Sequence, residues 1–360
     1  MVRSKSPARI EPRVDREASA IAKAGHEVHV LLWDRELKYQ QEEAQDSYVI
    51  RRFHQAAPEG QIGLLPNMFK WWFWEFRMLF KTNPDVVHAC DFDTVIPATF
   101  YCVLKGKRLL YDIFDFYAYM IAQPLGSITR NLIARVERYF AKRADLVILP
   151  DRARVVQLGS TFSGRIKEIM NVPEEVKLKE KEEREFSVFY GGMISHERGL
   201  RQLVEATRMA GVKLIVAGHG ADEAKFVPIF HQNKHVSFLG NIPYEEVLKW
   251  SARCHLIAAL YDPTIPNNRL ASPNKLFEAM MFGKPIVTTE GTRPADIVHS
   301  VGCGVVVKYD DVLGLAEVIR NMAFDSYERE QMGEKGRKAF KEKYNWTIME
   351  KRLASVYASL

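Results

Sequence analysis

The chain has 360 residues, of which 47% are hydrophobic and 27% charged, and a formal net charge of +6. That length exceeds one ordinary core and predicts two domains, while the composition excludes a disordered or membrane-spanning chain. Residues 1–150 carry 21 Lys/Arg and 18 Asp/Glu, so the positive charge is spread along the chain, and no nucleic-acid footprint is expected.

The opening MVRSKSPARIEPRV is short and polar for a full first strand and reads as the tail of a truncated one. A helix follows, with Val14, Ala18, Ile21 and Ala22 on one face and Gly25 at its end. Strands are predicted over 26–33, 47–53, 84–89, 108–111 and 145–149, with a helix over 128–143 before the last. A strand over 167–170 precedes a charged run at 174–185, which reads as a solvated linker. Further strands follow over 186–190, 213–217, 236–239, 256–259, 286–288 and 304–307, with a helix over 200–208. A final helix over 345–360 carries Trp346, Ile348, Met349, Leu353 and Tyr357 as its apolar stripe. Strands alternating with helices predict an α/β fold of two doubly wound Rossmann-like domains. Such sheets bind ligands outside the carboxyl ends of their strands, and a cleft between the domains is the expected site.

Cys90, Cys102, Cys254 and Cys303 are widely spaced and form no metal or redox pattern. They read as buried thiols in a reducing compartment. No apolar run reaches about 18 residues and no apolar signal core opens the chain, so a cytoplasmic protein is expected. Residues 66–81, PNMFKWWFWEFRMLFK, are densely aromatic with Lys70, Arg77 and Lys81 at helical spacing. Two readings stand: a helix packed under the first sheet, or an interfacial helix peripheral on a membrane.

The most informative stretch is 271–298, ASPNKLFEAMMFGKPIVTTEGTRPADIV. It predicts a loop, a short helix opening at Ser272-Pro273-Asn274, a turn at Gly283 and a buried strand. A helix start gathers free N–H groups that favour an anion. Lys275 sits in its first turn and Glu278 one turn later on nearly the same face. A cation, a carboxylate and a helix N-terminus this close predict a hold on a nucleotide diphosphate. The glycine loops Gly191-Gly192 and Gly218-His219-Gly220 also follow strands and are expected at the same place.

Three segments, PNKLFEAMMFGKPIVTT (273–289), VFYGGMISHERGLRQLVEA (188–206) and VSFLGNIPYEEVLKWSARCHL (236–256), resemble the retaining nucleotide-sugar glycosyltransferases of family 4. PDVVHACDFDT and LLYDIFDFYA resemble the first half of that family. The resemblance covers nearly the whole chain and implies the GT-B fold, with two Rossmann-like domains facing a cleft and a C-terminal helix crossing back to the first. The implied domains are 1–170 for the acceptor, a linker at 171–185, 186–343 for the nucleotide sugar, and the closing helix at 344–360.

The resemblance implies transfer of a sugar from a UDP-, GDP- or ADP-sugar to a glycan or lipid-linked acceptor hydroxyl, with retention of configuration and without a cofactor. Glu278 matches the family's ribose-binding glutamate. The partner glutamate seven residues earlier would fall at Leu270, so loop groups from Ser272 to Lys275, including Asn274, are left to meet the donor sugar. Of the family's phosphate-binding cation pair, Arg198 matches one and Gly192 replaces the other. Lys275 is inferred to stand in for the missing cation. Where the family often has a His, this chain has Phe114, which leaves Asp115 as the expected catalytic contact. Gly191, Gly192, His219 and His88 are further expected substrate contacts. No carboxylate cluster is visible in the sequence, so no metal is expected. Two rival readings remain at this level: another GT-B enzyme such as a nucleotide-sugar epimerase, and a non-catalytic homologue that binds the nucleotide sugar.

Overall fold

The computed structural model describes residues 1–4, 10–57, 61–120 and 126–360. The chain divides into two compact units, one of Met1–Met170 with Met349–Leu360 and one of Asn171–Ile348. The charged run 174–185 therefore belongs to the second unit. Although mostly exposed, it is strapped down: Glu175 pairs with Arg337, Glu182 with Lys284 and Glu183 with Arg253.

The first unit holds an eight-stranded sheet made of β1 (Val2–Arg3), β2 (His29–Asp34), β3 (Glu42–Ala44), β4 (Val49–His54), β5 (Val86–Cys90), β6 (Arg108–Asp112), β7 (Leu146–Leu149) and β8 (Ile166–Glu168). Its order is β3-β4-β2-β1-β5-β6-β7-β8. The strands run parallel except β3, a short acidic edge strand antiparallel to β4 that periodicity does not reveal. Short β1 lies at the centre, with Val2 opposite Leu31 on one side and Ala89 on the other. Trp33, Val87, Leu109, Tyr111 and Val147 pack with helix residues into the core, the near-continuous apolar pattern of a parallel sheet covered on both faces.

The predicted aromatic stretch lies in the helix Gln61–Thr82. One face packs as the core reading requires: Trp71 is fully buried, stacks on Trp33 with centroids 5.9 Å apart, and lies beside Met78 and Leu79. Its other face is exposed. The C-terminal helix Trp346–Ala358 buries Trp346, Met349, Leu353 and Val356, while Ile348 is only half-buried. Residues 349–360 group with the first unit. No helix among the described residues is long and apolar enough to cross a membrane.

The second unit is a six-stranded parallel sheet of β9 (Ser187–Gly191), β10 (Lys213–Ala217), β11 (Val236–Phe238), β12 (Leu256–Ala259), β13 (Ile286–Thr289) and β14 (Gly304–Val307), in the order β11-β10-β9-β12-β13-β14. The chain leaves β9 toward β10 on one side and later returns to its other side as β12. Such a reversal opens a crevice at the carboxyl ends of the two strands, where ligands bind in open α/β sheets. Gly191 ends β9, and Leu260 and Tyr261 follow β12.

Candidate active site

The crevice of the second unit is shaped by glycine. Gly218, just after β10, has φ +139°, and a Cβ there would fall on the carbonyl oxygen of Gly192. A Cβ at Gly220 would meet the backbone of Ile194 in the same way. The two loops can therefore close on each other only without side chains. Backbone bonds seal them: Gly192 N donates to Ala217 O at 2.9 Å and Ile194 N to His219 O at 2.9 Å. The His219 ring is exposed, at the rim of the loop.

The helix Asn274–Phe282 points its first turn at this crevice. Pro273 is its N-cap and no side chain closes the turn, so Ser272 is a half-buried loop residue and Asn274 an exposed first helical one. Lys275 reaches back toward β9: its ammonium lies 3.8 Å from the centroid of the Tyr190 ring. It would stand 3.1 Å from a Cβ at Gly192. The absent side chain at 192 thus leaves the space the lysine occupies. Burial, and secondarily the charge of Arg198, lower the Lys275 pKa to about 7 against an opposing pull from Glu278.

Arg198 is held by three groups. Its Nη1 donates to Asn268 Oδ1 at 3.1 Å, Nη2 lies 3.3 Å from Glu197 Oε1, and the guanidinium stacks over Tyr261 at 4.7 Å. Asn268 is buried in the short helix Pro266–Arg269, two residues before Leu270. A neutral amide therefore stands close to where the family has its first glutamate. Glu278 is buried and accepts a 2.8 Å bond at Oε1 from the Tyr244 hydroxyl. Burial raises its pKa, while Tyr244 and Lys275 hold it down. The structure thus brings Arg198, Lys275 and Glu278 together with the Gly191–Gly192 loop. Tyr190, Tyr244, Tyr261 and Asn268 complete the arrangement. Tyr244 and Tyr190 lie inside family-like segments, but nothing in their spacing singles them out.

In the first unit the polar residues converge at the carboxyl ends of β1, β5 and β6. Asp91, which follows β5, has φ +69° without being glycine, a strained conformation of the kind found at ligand sites. Its carboxylate pairs with Arg3 and accepts from the backbone N–H of Phe114 at 2.8 Å. The Phe114 ring lies between two guanidinium groups, Arg3 at 4.4 Å and Arg13 at 4.2 Å. Asp115 is partly exposed and paired with Arg154 Nη2 at 2.9 Å. Arg154 is itself buried, and its Nε and Nη1 have no hydrogen-bond partner among the described residues.

Two expectations need correction. His88 was expected to contact substrate, but it is 1% exposed and its Nδ1 lies 2.9 Å from the Tyr357 hydroxyl. It sits mid-strand in β5, pointing into the layer beneath the C-terminal helix. Burial lowers its pKa and keeps the ring neutral. A carboxylate cluster was not expected, yet folding gathers Glu17, His88 and Asp112 with ligand atoms within 4.8 Å of one another. They come from a helix and two strands, so no spacing reveals them. Arg13 occupies the cationic position of this cluster, with Nε 2.9 Å from Glu17 and Nη2 2.8 Å from Asp112.

Two parallel-sheet, Rossmann-like units with these crevices define the GT-B class of glycosyltransferase fold. Sucrose-phosphate synthase from Thermosynechococcus elongatus has the same fold, with a TM-score of 0.80 at 18% identity over 99% of this chain and 95% of that one. Anabaena HepE, solved with UDP, matches with a TM-score of 0.70 at 18% identity over 100% of this chain and 99% of that one. HepE has also been solved with UDP-glucose. In sequence, the chain is 25% identical over 281 residues to the capsular polysaccharide biosynthesis glycosyltransferase CapM of Staphylococcus aureus, covering 74% of this chain and 71% of CapM. The model of the glycosyl transferases group 1 matches residues 172–339, and that of glycosyltransferase family 4 matches residues 10–160. The chain belongs to the family 4, group 1 glycosyltransferases and is an enzyme of that kind.

Proposed function

We propose that this glycosyltransferase moves a sugar, with retention of anomeric configuration, from a nucleoside diphosphate sugar to a hydroxyl of a glycan or lipid-linked acceptor. UDP-sugars are the favoured donors, since HepE has been solved with UDP and with UDP-glucose. The observation that carries the reading is the pair of cations, Arg198 and Lys275, set beside a glycine crevice with buried Glu278 one helical turn away. In this reading Arg198 and Lys275 bind the diphosphate and meet its growing charge as the bond from sugar C1 to phosphate oxygen breaks, and no metal ion is required. Glu278 accepts hydrogen bonds from the ribose hydroxyls through the carboxylate oxygen that Tyr244 leaves free. The helix start at Ser272 to Lys275 offers backbone N–H groups to the donor, and the bare Gly191–Gly192 loop lets the donor approach the backbone closely, with His219 at the rim.

The acceptor oxygen bonds to C1 on the face the phosphate leaves, and its proton passes to the departing phosphate oxygen. No protein nucleophile is needed, so Phe114 in place of a histidine is compatible with turnover. Asp115, held by Arg154, is assigned to orient a sugar or acceptor hydroxyl. The four cysteines are buried free thiols, which supports action in a reducing compartment, the cytoplasm.

A panel of UDP-, GDP- and ADP-sugars tests this by thermal shift and by release of free nucleotide. Stabilisation by one class, with slow hydrolysis of that donor to nucleotide and a sugar of retained configuration, is expected. Epimer formation, or no stabilisation by any member, would refute it.

A further inference from the structure

The helix Gln61–Thr82 exposes what soluble surfaces hide. Phe69, Phe73 and Phe80 are 67%, 72% and 41% exposed along one stripe. The adjoining helix Phe92–Lys105, which the sequence does not mark as amphipathic, adds Phe100, Val103 and Leu104 at 58–68% exposure. The two helices are packed together. Phe80 meets Tyr101 edge-on at 5.3 Å, and the Lys105 ammonium lies 5.0 Å from the Phe80 ring centre. An apolar hollow of about 440 Å³ opens between them, lined by residues that include Phe73, Phe76, Ile96 and Leu104. Single exposed apolar residues are ordinary, but a continuous two-helix patch marks an interaction surface.

Charge decides what covers it. Lys70, Arg77, Lys81 and Lys105 border the patch, and none of them pairs with a carboxylate among the described residues. The acidic residues of the same two helices are turned away: Glu75 is fully buried and Asp93 is bonded to Ser4. A second copy of the chain docked on this face would set cations against cations under two-fold symmetry. An anionic lipid surface instead receives aromatic rings at the acyl boundary and lysine and arginine at the phosphates. We infer that the joint face of the helices Gln61–Thr82 and Phe92–Lys105 docks on an anionic bilayer.

The face is tied to the acceptor end of its unit. The Trp72 indole N–H donates to the carbonyl of Asp93 at 2.8 Å, and Asp93 lies in the first turn after Asp91, at the carboxyl end of β5. A bilayer held here brings its headgroups to the edge of the sheet where Asp91 and Asp115 stand. The docking stands on the surface itself; only its use in delivering a lipid-linked acceptor rests on the proposed function.

The test is co-sedimentation of the full chain with phosphatidylcholine vesicles with and without phosphatidylglycerol. Wild type is expected on the anionic vesicles and to be released by salt. Two variants at exposed positions, Phe69→Ser/Phe73→Ser/Phe100→Ser and Lys70→Glu/Arg77→Glu, are each expected to bind about tenfold or more weakly. Their melting temperatures and their stabilisation by UDP-glucose should be unchanged, a readout that reports on donor binding independently of lipid. Absence of wild-type binding, or equal binding by the charge variant, overturns the inference. A concentration-dependent dimer that the variants abolish, without vesicle binding, overturns it in favour of a second copy.

Discussion

Lys275→Met is the perturbation that most sharply separates binding chemistry from stability. In the free protein the ammonium is enclosed against Tyr190 and faces a second cation, and its pKa falls from 10.5 to about 7. A depression of that size corresponds to about 5 kcal/mol against the charged form, at about 1.4 kcal/mol per unit. The residue is part-exposed, and solvent screening reduces this to about 2 kcal/mol. The sign follows from proton counting. Between pH 7 and 10.5 the unfolded chain holds a proton on this lysine that the folded chain has largely lost, so stability rises with pH through that window. The penalty is full below pH 7.

Methionine keeps the stem and removes the charge, so at pH 6 the melting temperature of Lys275→Met should rise by about 4–8 °C, a gain that fades toward pH 10. Turnover should fall by about 10²–10³-fold, the usual cost of removing one group that meets developing charge. For wild type, kcat/KM should decline above about pH 7 as the free enzyme loses the proton. The kcat limb should lie higher, because bound diphosphate restores it. The variant should lack the descending limb. Scanning fluorimetry across pH and steady-state nucleotide release measure both sides. Undiminished turnover, or a lower melting temperature at pH 6, would refute the argument.

Two further outcomes follow from the geometry. Gly218→Ala should cost more than about 2 kcal/mol and abolish the stabilisation by UDP-glucose, because the new Cβ falls on the Gly192 carbonyl at a positive φ; a normal melt with normal donor response would contradict this. Glu75 lies on the buried face of the aromatic helix, and burial raises its pKa well above the usual range, with Asp93 adding to the rise against the opposing pull of the Met1 ammonium and the Trp71 indole. The unfolded chain gives up this proton near pH 4–5 and the folded chain holds it, so stability falls as pH rises above that point. Glu75→Gln should therefore lose less melting temperature than wild type between pH 5 and 8, and equal losses would count against a buried neutral carboxyl.

Much of the architecture was legible because parallel strands buried on both faces announce themselves as apolar runs. The strands at β10, β12 and β14 have the predicted bounds. The stretch 271–298 has the expected order of loop, helix, glycine turn and strand. Edge strand β3 was not legible, because an exposed three-residue acidic pairing carries no periodic signal. In the helix Gln61–Thr82 the composition allowed either a packed or an interfacial helix, and the structure packs one face on the core and leaves the other exposed.

The site divides along the same line. Local order along the chain places Lys275 and Glu278 one helical turn apart and leaves position 192 without a side chain, and these are facts the sequence determines by itself. Whether the lysine reaches the space left at Gly192 depends on β9 and the helix Asn274–Phe282 meeting across the crevice, which only the tertiary structure decides. The same holds for His88. It was expected among the substrate contacts, but pairing in the sheet centre turns the ring inward to Tyr357. Arg13, Glu17, His88 and Asp112 are brought together from positions up to 99 residues apart, because burial makes each charge require a partner and only the fold determines which partner is within reach.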